Sequence, residues 1–396
     1  MVPLDPAAAT AAYMATLSAA GHAKATAYTQ GGHWLLLWGW LVAVLAAWLI
    51  VRSRLLVRVE AGIERDKSHP LLLSAAIAAL FVVADFALEL PWQVYAAWWR
   101  EKSYGLTSQP LGGWFGEQLI GLALSVLVTA AFVTALYALI RRAPRTWWLW
   151  AGALAAVFLA IIQVLAPIYV EPLFNTYTPA PPGPTRNAVV ALAKKAGVPY
   201  DKIYIYNGSK QSNRYTANVT GIAGSARVAM SDVMFAKGAD LAEVRGVVGH
   251  EMGHYARLHA IWLTLAQSLL AVAAFGLIQL IFPWAAGLMG AKVGGVDDPV
   301  GLPVVMAIVA TLSLLATPIT NSITRIAESD ADAFSLRIAG EPDGLSKALV
   351  KTIEYRASSP SRLEELIFYD HPSVERRVHR AMLWKAAHPQ APSPGG

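Results

Sequence analysis

Apolar residues in this chain gather into long unbroken runs, and polar residues are confined to the segments between them. A helix that crosses a bilayer needs ~20 consecutive, mostly apolar residues. Six stretches qualify: 33–52, 70–99, 117–140, 147–169, 260–283 and 299–320. The second is too long for a simple span. The sequence therefore predicts either a tilt or a break at Pro91, within Leu90-Pro91-Trp92. Trp147, Trp148 and Trp150 open the fourth span beside Arg141, Arg142 and Arg145, the composition of an interfacial anchor. Asp85 and Glu89 interrupt the second, where a carboxylate at mid-bilayer costs about 2.5–3.5 kcal/mol on insertion scales. They are expected to face an aqueous interior or a partner, or, for Glu89, to touch water near a helix end. Residues 1–31 are Ala-rich and mildly amphipathic, without the basic start and short apolar core of a cleaved signal.

The polar segment 170–258 separates the fourth and fifth spans. Pro172, Pro179, Pro181, Pro182 and Pro184 predict a stiff loop that is not helix. Residues 185–197 read as an amphipathic helix closed by Gly197, and Lys202–Tyr206 as a strand. Residues 214–230 suggest two short strands around a Gly turn, and 240–258 a helix capped by Asp240. The predicted fold is mainly α: a polytopic membrane helix bundle of about six spans with a small α/β metallopeptidase domain. Its parts are 1–169 (four spans), 170–258 (the polar α/β segment), 259–320 (two spans), 321–384 (a helical segment completing the site) and 385–396 (a disordered tail).

Composition agrees. Hydrophobic residues are 56% and charged residues 15%, and mean hydropathy is +0.44. Soluble chains carry about 25% charged residues. The net charge of +6 is scattered over the loops, as expected of Lys/Arg that orient membrane helices. A nucleic-acid binder would gather them on one soluble face, so no nucleic-acid partner is expected. There are no cysteines, which excludes disulfides, thiolate ligands and a Cys nucleophile. Any zinc must be held by imidazole and carboxylate.

His250-Glu251-Met252-Gly253-His254 carries the chemistry. Positions i and i+4 stack on one face of a helix, so both imidazoles can reach one metal ion. Glu251 is displaced around the helix, where it can reach a water at the metal as general base. A catalytic zinc needs a third protein ligand, and Glu328 is assigned that role. Asp332 shares its helix face and is expected to fix the tautomer of a ligating His. His371 or Arg377 could supply the donor where an oxyanion forms. Thr216, Ala217 and Asn218 lie on an expected edge strand, to which an extended peptide could add.

These residues and several flanking blocks resemble the integral-membrane CAAX prenyl protease type I family, and the chain is identified as a bacterial member. The blocks are Ala25-Thr26-Ala27-Tyr28-Thr29, Leu90-Pro91-Trp92 with Tyr95, and Glu101-Lys102-Ser103-Tyr104-Gly105-Leu106. They continue with Pro172-Leu173-Phe174-Asn175 before Thr178-Pro179, and with Gly208-Ser209-Lys210. The resemblance implies one zinc per chain on His250, His254 and Glu328, Glu251 as base, and supporting roles for Asp332, His371 and Arg377. It also implies helices around a water-filled chamber, which would accommodate Asp85 and Glu89. The chain departs from the family at two points. Eukaryotic members have seven spans against six here, and Thr216-Ala217-Asn218 stands where the family reads Asn-Ala-aromatic.

The expected activity is hydrolysis of a peptide or protein substrate, possibly C-terminal or lipidated. The Ala-rich, bacterial character points to processing or clearance of membrane-associated peptides in an inner membrane, since bacteria generally lack protein prenylation. The alternative is a non-catalytic scaffold or conduit, against which the intact set His250, Glu251, His254 and Glu328 argues. Six spans put both termini and the catalytic segment on one side. Arg52, Arg54, Arg58, Arg65 and Lys67, with Arg141, Arg142 and Arg145, place the opposite side in the cytoplasm. The resemblance implies a cytoplasmic site, and that orientation is preferred.

Overall fold

The computed structural model describes residues 3–64, 68–221 and 226–389. In chain order its helices begin with α1 Pro6–Met14, α2 Ala19–Ser53, α3 Leu55–Ile63, α4 Pro70–Ser103, α5 Leu111–Arg142, α6 Trp147–Phe174 and α7 Pro184–Ala196. They continue with α8 Asp232–Ala236, α9 Leu241–Ala256, α10 His259–Met289, α11 Leu302–Ala339, α12 Pro342–Lys351, α13 Arg362–Phe368 and α14 Val374–Ala387. Among the described residues, six helices are long and apolar enough to cross a membrane: α2, α4, α5, α6, α10 and α11. Each overlaps one of the six apolar stretches. Leu269 and Leu280 are 72% and 75% exposed on α10, a surface that only lipid would cover at low cost.

The helices extend further than hydropathy suggested. α2 begins at Ala19, well before the apolar stretch, so the second half of the amphipathic segment is the first part of the same helix, while its first half forms the separate α1. α11 continues without interruption past the end of its apolar run to Ala339, which removes the boundary expected between residues 320 and 321. α4 does not break at Pro91. The helix runs through it and relaxes into a π-helical turn at Val94–Trp99, one way of absorbing the ring clash and missing N–H of a mid-helix proline. Glu171–Phe174 is also helical, the last turn of α6 after a π-helical stretch at Ala166–Val170, so the expected non-helical loop begins only after Phe174 and ends before Pro184, the first residue of α7. The expected tail begins too early: α14 runs to Ala387, while 390–396 lie outside the described residues.

The tightest packing among the spans lies at one end of the bundle. Its buried core joins Ala47 and Ile50 late in α2, Ile77 and Phe81 early in α4, and Val133 and Tyr137 late in α5. Trp147 at the start of α6, Phe282 late in α10 and Val304 early in α11 complete it. Toward the other end the spans bury little. Only 6% of the apolar window of α6 and 11% of that of α5 are buried. Asp85 and Glu89 lie on α4 beyond the packed end; Glu89 accepts a bond from Gln93 Nε2 at 3.4 Å.

The polar segment supplies a four-stranded sheet, β1 Tyr177–Pro179, β2 Ile203–Tyr206, β3 Ala217–Thr220 and β4 Arg227–Ser231, in the order β1-β2-β4-β3. β1/β2 and β3/β4 are antiparallel, and β2/β4 is parallel. β3 is therefore an edge, paired to β4 with Ala217 opposite Met230. The Gly turn expected between β3 and β4 falls on 222–225, outside the described residues. A core of Val189, Val228, Met230, Val248 and Met252 joins the sheet to α7 and α9. The N-terminal helix α1 belongs to this end of the molecule: its Tyr13 hydroxyl donates to Asp343 at 2.7 Å, and Tyr13 and Met14 pack against Val374 and Val378 of α14.

Candidate active site

Helix α9 starts on a capping box. Asp240 accepts from the Glu243 N–H at 2.8 Å, and Glu243 accepts from the Asp240 N–H at 3.0 Å. Fixing this end sets the register of every later residue in the helix. Gly246, Gly249 and Gly253, three and four apart, share one face of α9. A Cβ at Gly246 would lie 2.8 Å from the Leu345 backbone nitrogen, at Gly249 2.9 Å from Ser335 Oγ, and at Gly253 3.0 Å from Ala331 Cα. The absent side chains let α9 approach α11 and α12 backbone to backbone. Ser335 locks the approach by donating to the Gly246 carbonyl at 2.6 Å. That contact brings His250 and His254 against Glu328 and Asp332.

The donor atoms converge. His250 Nε2 and His254 Nε2 are 3.2 Å apart. Glu328 lies 3.1 Å from His250 Nε2 through Oε2 and 3.4 Å from His254 Nε2 through Oε1. A tetrahedral ion with ligands at 2.0–2.1 Å requires ligand–ligand separations of about 3.3–3.4 Å, and the three edges lie close to that value. Glu328 Oε2, although buried, has no hydrogen-bond donor aligned on it. Ligand atoms gathered at these spacings fit a shared divalent cation, and the donor set of two imidazoles and a carboxylate suits a metal of the zinc type.

Each of the two imidazoles is held from behind. His250 Nδ1 faces Asp332 Oδ1 at 2.9 Å. Arg377 Nε and Nη2 both donate to Asp332 at 2.7 Å, and Arg377 is 6% exposed. Two of its donors are thus committed to positioning Asp332, so it has less to offer a substrate than the sequence suggested. Burial opposes a charge on His250, but the bonds to Asp332 and Glu328 outweigh it and raise its pKa to about 10. Burial and the neighbouring His250 push His254 down to about 4. The support of His254 is a feature the sequence reading missed. His254 Nδ1 meets His259 Nδ1 at 2.9 Å, His259 Nε2 meets Asp330 at 3.2 Å, and Arg257 donates to Asp330 at 2.8 Å. Its signal was the third histidine, five residues beyond His254 and just past the left-handed Leu258 that reverses the chain.

Glu251 faces the cavity beside the metal donors and, among the described residues, makes no hydrogen bond or ion pair. Burial pushes its pKa up to about 7. His371 lines the same cavity, with Nε2 at 3.2 Å from Glu328 Oε2 and Nδ1 at 2.8 Å from Asp370. Thr216, just before β3, and Ala217, its first residue, line it too. Asn218 is not among its lining residues, and its Oδ1 is buried without a partner.

Comparisons with known proteins show the family. Residues 184–385 match the model of peptidase family M48. Residues 6–176 match the CAAX prenyl protease N-terminal model, five membrane helices. An uncharacterized metalloprotease of Bacillus subtilis, YhfN, is 28% identical over 74% of this chain and 69% of its own. A CAAX prenyl protease 1 homolog of Arabidopsis thaliana is 25% identical over 80% of this chain and 74% of its own. The crystal structure of Ste24p from S. mikatae superposes with a TM-score of 0.70 at 21% identity, covering 80% of this chain and 77% of that one, so the fold is shared. The chain belongs to peptidase family M48 and, with its CAAX prenyl protease-type membrane region, is a multi-pass membrane metalloendopeptidase acting on peptide or protein substrates.

Proposed function

We propose that the metal is zinc, held by His250, His254 and Glu328, and that Glu251 is the general base. The observation that carries this reading is the near-tetrahedral spacing of the three donor groups beside the unpartnered Glu251. When bound by these three residues, zinc would supply a Lewis acid able to lower the pKa of water from 15.7 toward ~7. Glu251 takes the proton of the attacking water and later delivers it to the leaving amine. His371 is placed to donate from Nε2 to the carbonyl oxygen as it gains charge. With Nδ1–H on Asp370, that donation needs the imidazolium form; burial lowers the pKa of His371 and the Asp370 carboxylate only partly offsets it, so this contribution is expected to grow as the pH falls. Asp332 and Arg377 hold His250 in one tautomer. The free edge of β3 offers an extended substrate the main-chain groups of Thr216 and Ala217.

The sparse burial of α5 and α6 supports a space between the spans, closed by the packed end and bounded at the other by the metal site. A substrate segment held there would be membrane-associated. Several relatives are named CAAX prenyl proteases, which makes lipidated C-termini one substrate class; cleavage of unmodified membrane-associated peptides is the broader one proposed here. The resemblance to CAAX prenyl proteases supports a site on the cytoplasmic face of a bacterial inner membrane. Purified chain should cut both a prenylated CAAX peptide and a matched plain one. Activity restricted to the prenylated peptide would overturn the broader reading. A reporter fused after Gly396 that is active only in the periplasm would reverse the orientation.

A further inference from the structure

Four residues from distant parts of the chain meet beside the catalytic cavity. Tyr28 comes from α2, Glu101 from the last turn of α4, Arg214 from the segment leading into β3, and Tyr355 from the turn after α12. Arg214 Nη2 donates to Glu101 Oε2 at 2.6 Å and to the Tyr28 hydroxyl at 2.9 Å. That hydroxyl donates in turn to Glu101 Oε1, so each of the three groups is bonded to the other two. The Arg214 guanidinium also stands over the Tyr355 ring, 5.2 Å from its centroid. The residue before it is tied to the end of α4 as well. The Asn213 N–H donates to the Leu106 carbonyl at 2.8 Å, and Asn213 Nδ2 to the Gly105 carbonyl at 3.0 Å.

Directly after Arg214 the chain enters the catalytic cavity. Tyr215, Thr216 and Ala217 line it, and so does Tyr355. β3 therefore has two supports. Its ladder with β4 sets its register within the sheet. The Arg214 cluster sets where the strand begins relative to the spans, because charge-assisted bonds from a planar guanidinium are directional. The side chain of Arg214 is 34% exposed, and ion pairs open to solvent add little to global stability. Turnover is more sensitive, since a misplacement of ~1 Å far from the chemistry can cost about a hundredfold.

We propose that Arg214 is a positioning residue for the substrate. Held by Glu101 of α4 and Tyr28 of α2, it sets the β3 edge at the height from which a paired peptide presents its carbonyl to the metal site and Glu251. Two membrane spans thereby take part in aligning the substrate, although Glu101 and Tyr28 do not line the catalytic cavity. The inference rests on the peptidase reading and on substrate pairing with β3.

The test uses the full chain in detergent and two peptide series, one long enough to lie along β3 and one trimmed to the residues flanking the cleaved bond. Arg214→Gln should lower kcat/KM for the long peptides by about ten- to a hundredfold and for the trimmed ones much less, with zinc content unchanged. Arg214→Lys keeps the charge opposite Glu101 and should restore part of the loss. Glu101→Gln combined with Arg214→Gln should be no worse than Arg214→Gln alone, because both remove the same contact. An unchanged kcat/KM for the long peptides, or equal losses in both series, overturns the proposal; equal losses are what a merely structural role predicts. If the wild type cuts both series equally well, pairing with β3 has failed, and if it cuts neither, the peptidase reading has failed. Hydrogen exchange then decides the hold on the strand. Arg214→Gln should speed exchange over residues 211–220 and leave α9 unchanged, and unchanged exchange over 211–220 overturns the proposal.

Discussion

Gly253→Ala tests whether close helix approach builds the metal site. The new Cβ would lie 3.0 Å from Ala331 Cα, 3.2 Å from the Ala331 carbonyl oxygen and 3.2 Å from Phe334 Cβ. Ordinary contact for such atoms begins near 3.4 Å, and two of the three obstacles are backbone that cannot rotate away. α11 must therefore retreat from α9 by a few tenths of an ångström at Ala331, between Glu328 and Asp332. Overpacking of this kind costs about 1–3 kcal/mol. Replacing Gly by Ala in a helix interior returns about 1 kcal/mol, so thermal stability should fall only slightly. The metal site is less forgiving, because ligand distances hold to about 0.2 Å. The expected result is a folded chain whose metal affinity is lower by about tenfold or more, the size of effect seen when groups supporting ligands are lost. Chelator competition measures the affinity and detergent-phase thermal unfolding the stability. Gly121→Ala is the control, since a Cβ there meets nothing within 4 Å. Wild-type metal affinity in Gly253→Ala would refute the close-approach argument.

Four further outcomes are expected. Arg377→Met leaves the buried Asp332 carboxylate unpaired and should destabilise the catalytic end by about 3–5 kcal/mol, read by unfolding of the metal-free chain; an unchanged midpoint counts against the pair. His259→Ala removes the partner of His254 Nδ1 and should weaken metal binding about 10–100-fold with the fold intact, whereas equal affinity would make His259 merely structural. Metal uptake should release about one proton per ion at pH 8. In the metal-free chain His250 is raised to about 10 and still carries its extra proton there, while His254, at about 4, carries none. Apparent affinity therefore rises with pH below about 10, and calorimetry in two buffers of different ionisation enthalpy counts the proton. Asp332→Asn should lower metal affinity while Glu251→Gln should not, a contrast that equilibrium dialysis resolves.

The number of spans was legible because hydropathy reports the solvent a segment will meet. The ends of the helices were not, because a helix does not stop where its solvent changes. α11 crosses from apolar to polar sequence near Asn321 and stays helical to Ala339, carrying Glu328 and Asp332 on the same rod as the sixth span. Pro91 looked like a break but is absorbed by a π-helical turn. In the site, spacing alone placed His250, Glu251 and His254, and face-sharing placed Glu328 with Asp332. What spacing could not give was contact across the chain. The bidentate hold of Arg377 on Asp332 turned a possible oxyanion donor into a positioning group, and the relay from His254 through His259 to Asp330 joins residues more than seventy apart. The glycines of α9 were visible as a pattern, yet their meaning appears only with Leu345, Ser335 and Ala331 packed against them.

The central claim is that His250, His254 and Glu328 hold a catalytic zinc that Glu251 serves as base. Metal content and peptide cleavage, measured together on wild type and Glu251→Gln purified in detergent, test it most directly. The account predicts about one zinc per chain in both proteins and cleavage by the wild type alone. A wild type without zinc, or a Glu251→Gln variant that cuts as fast as wild type, would contradict it.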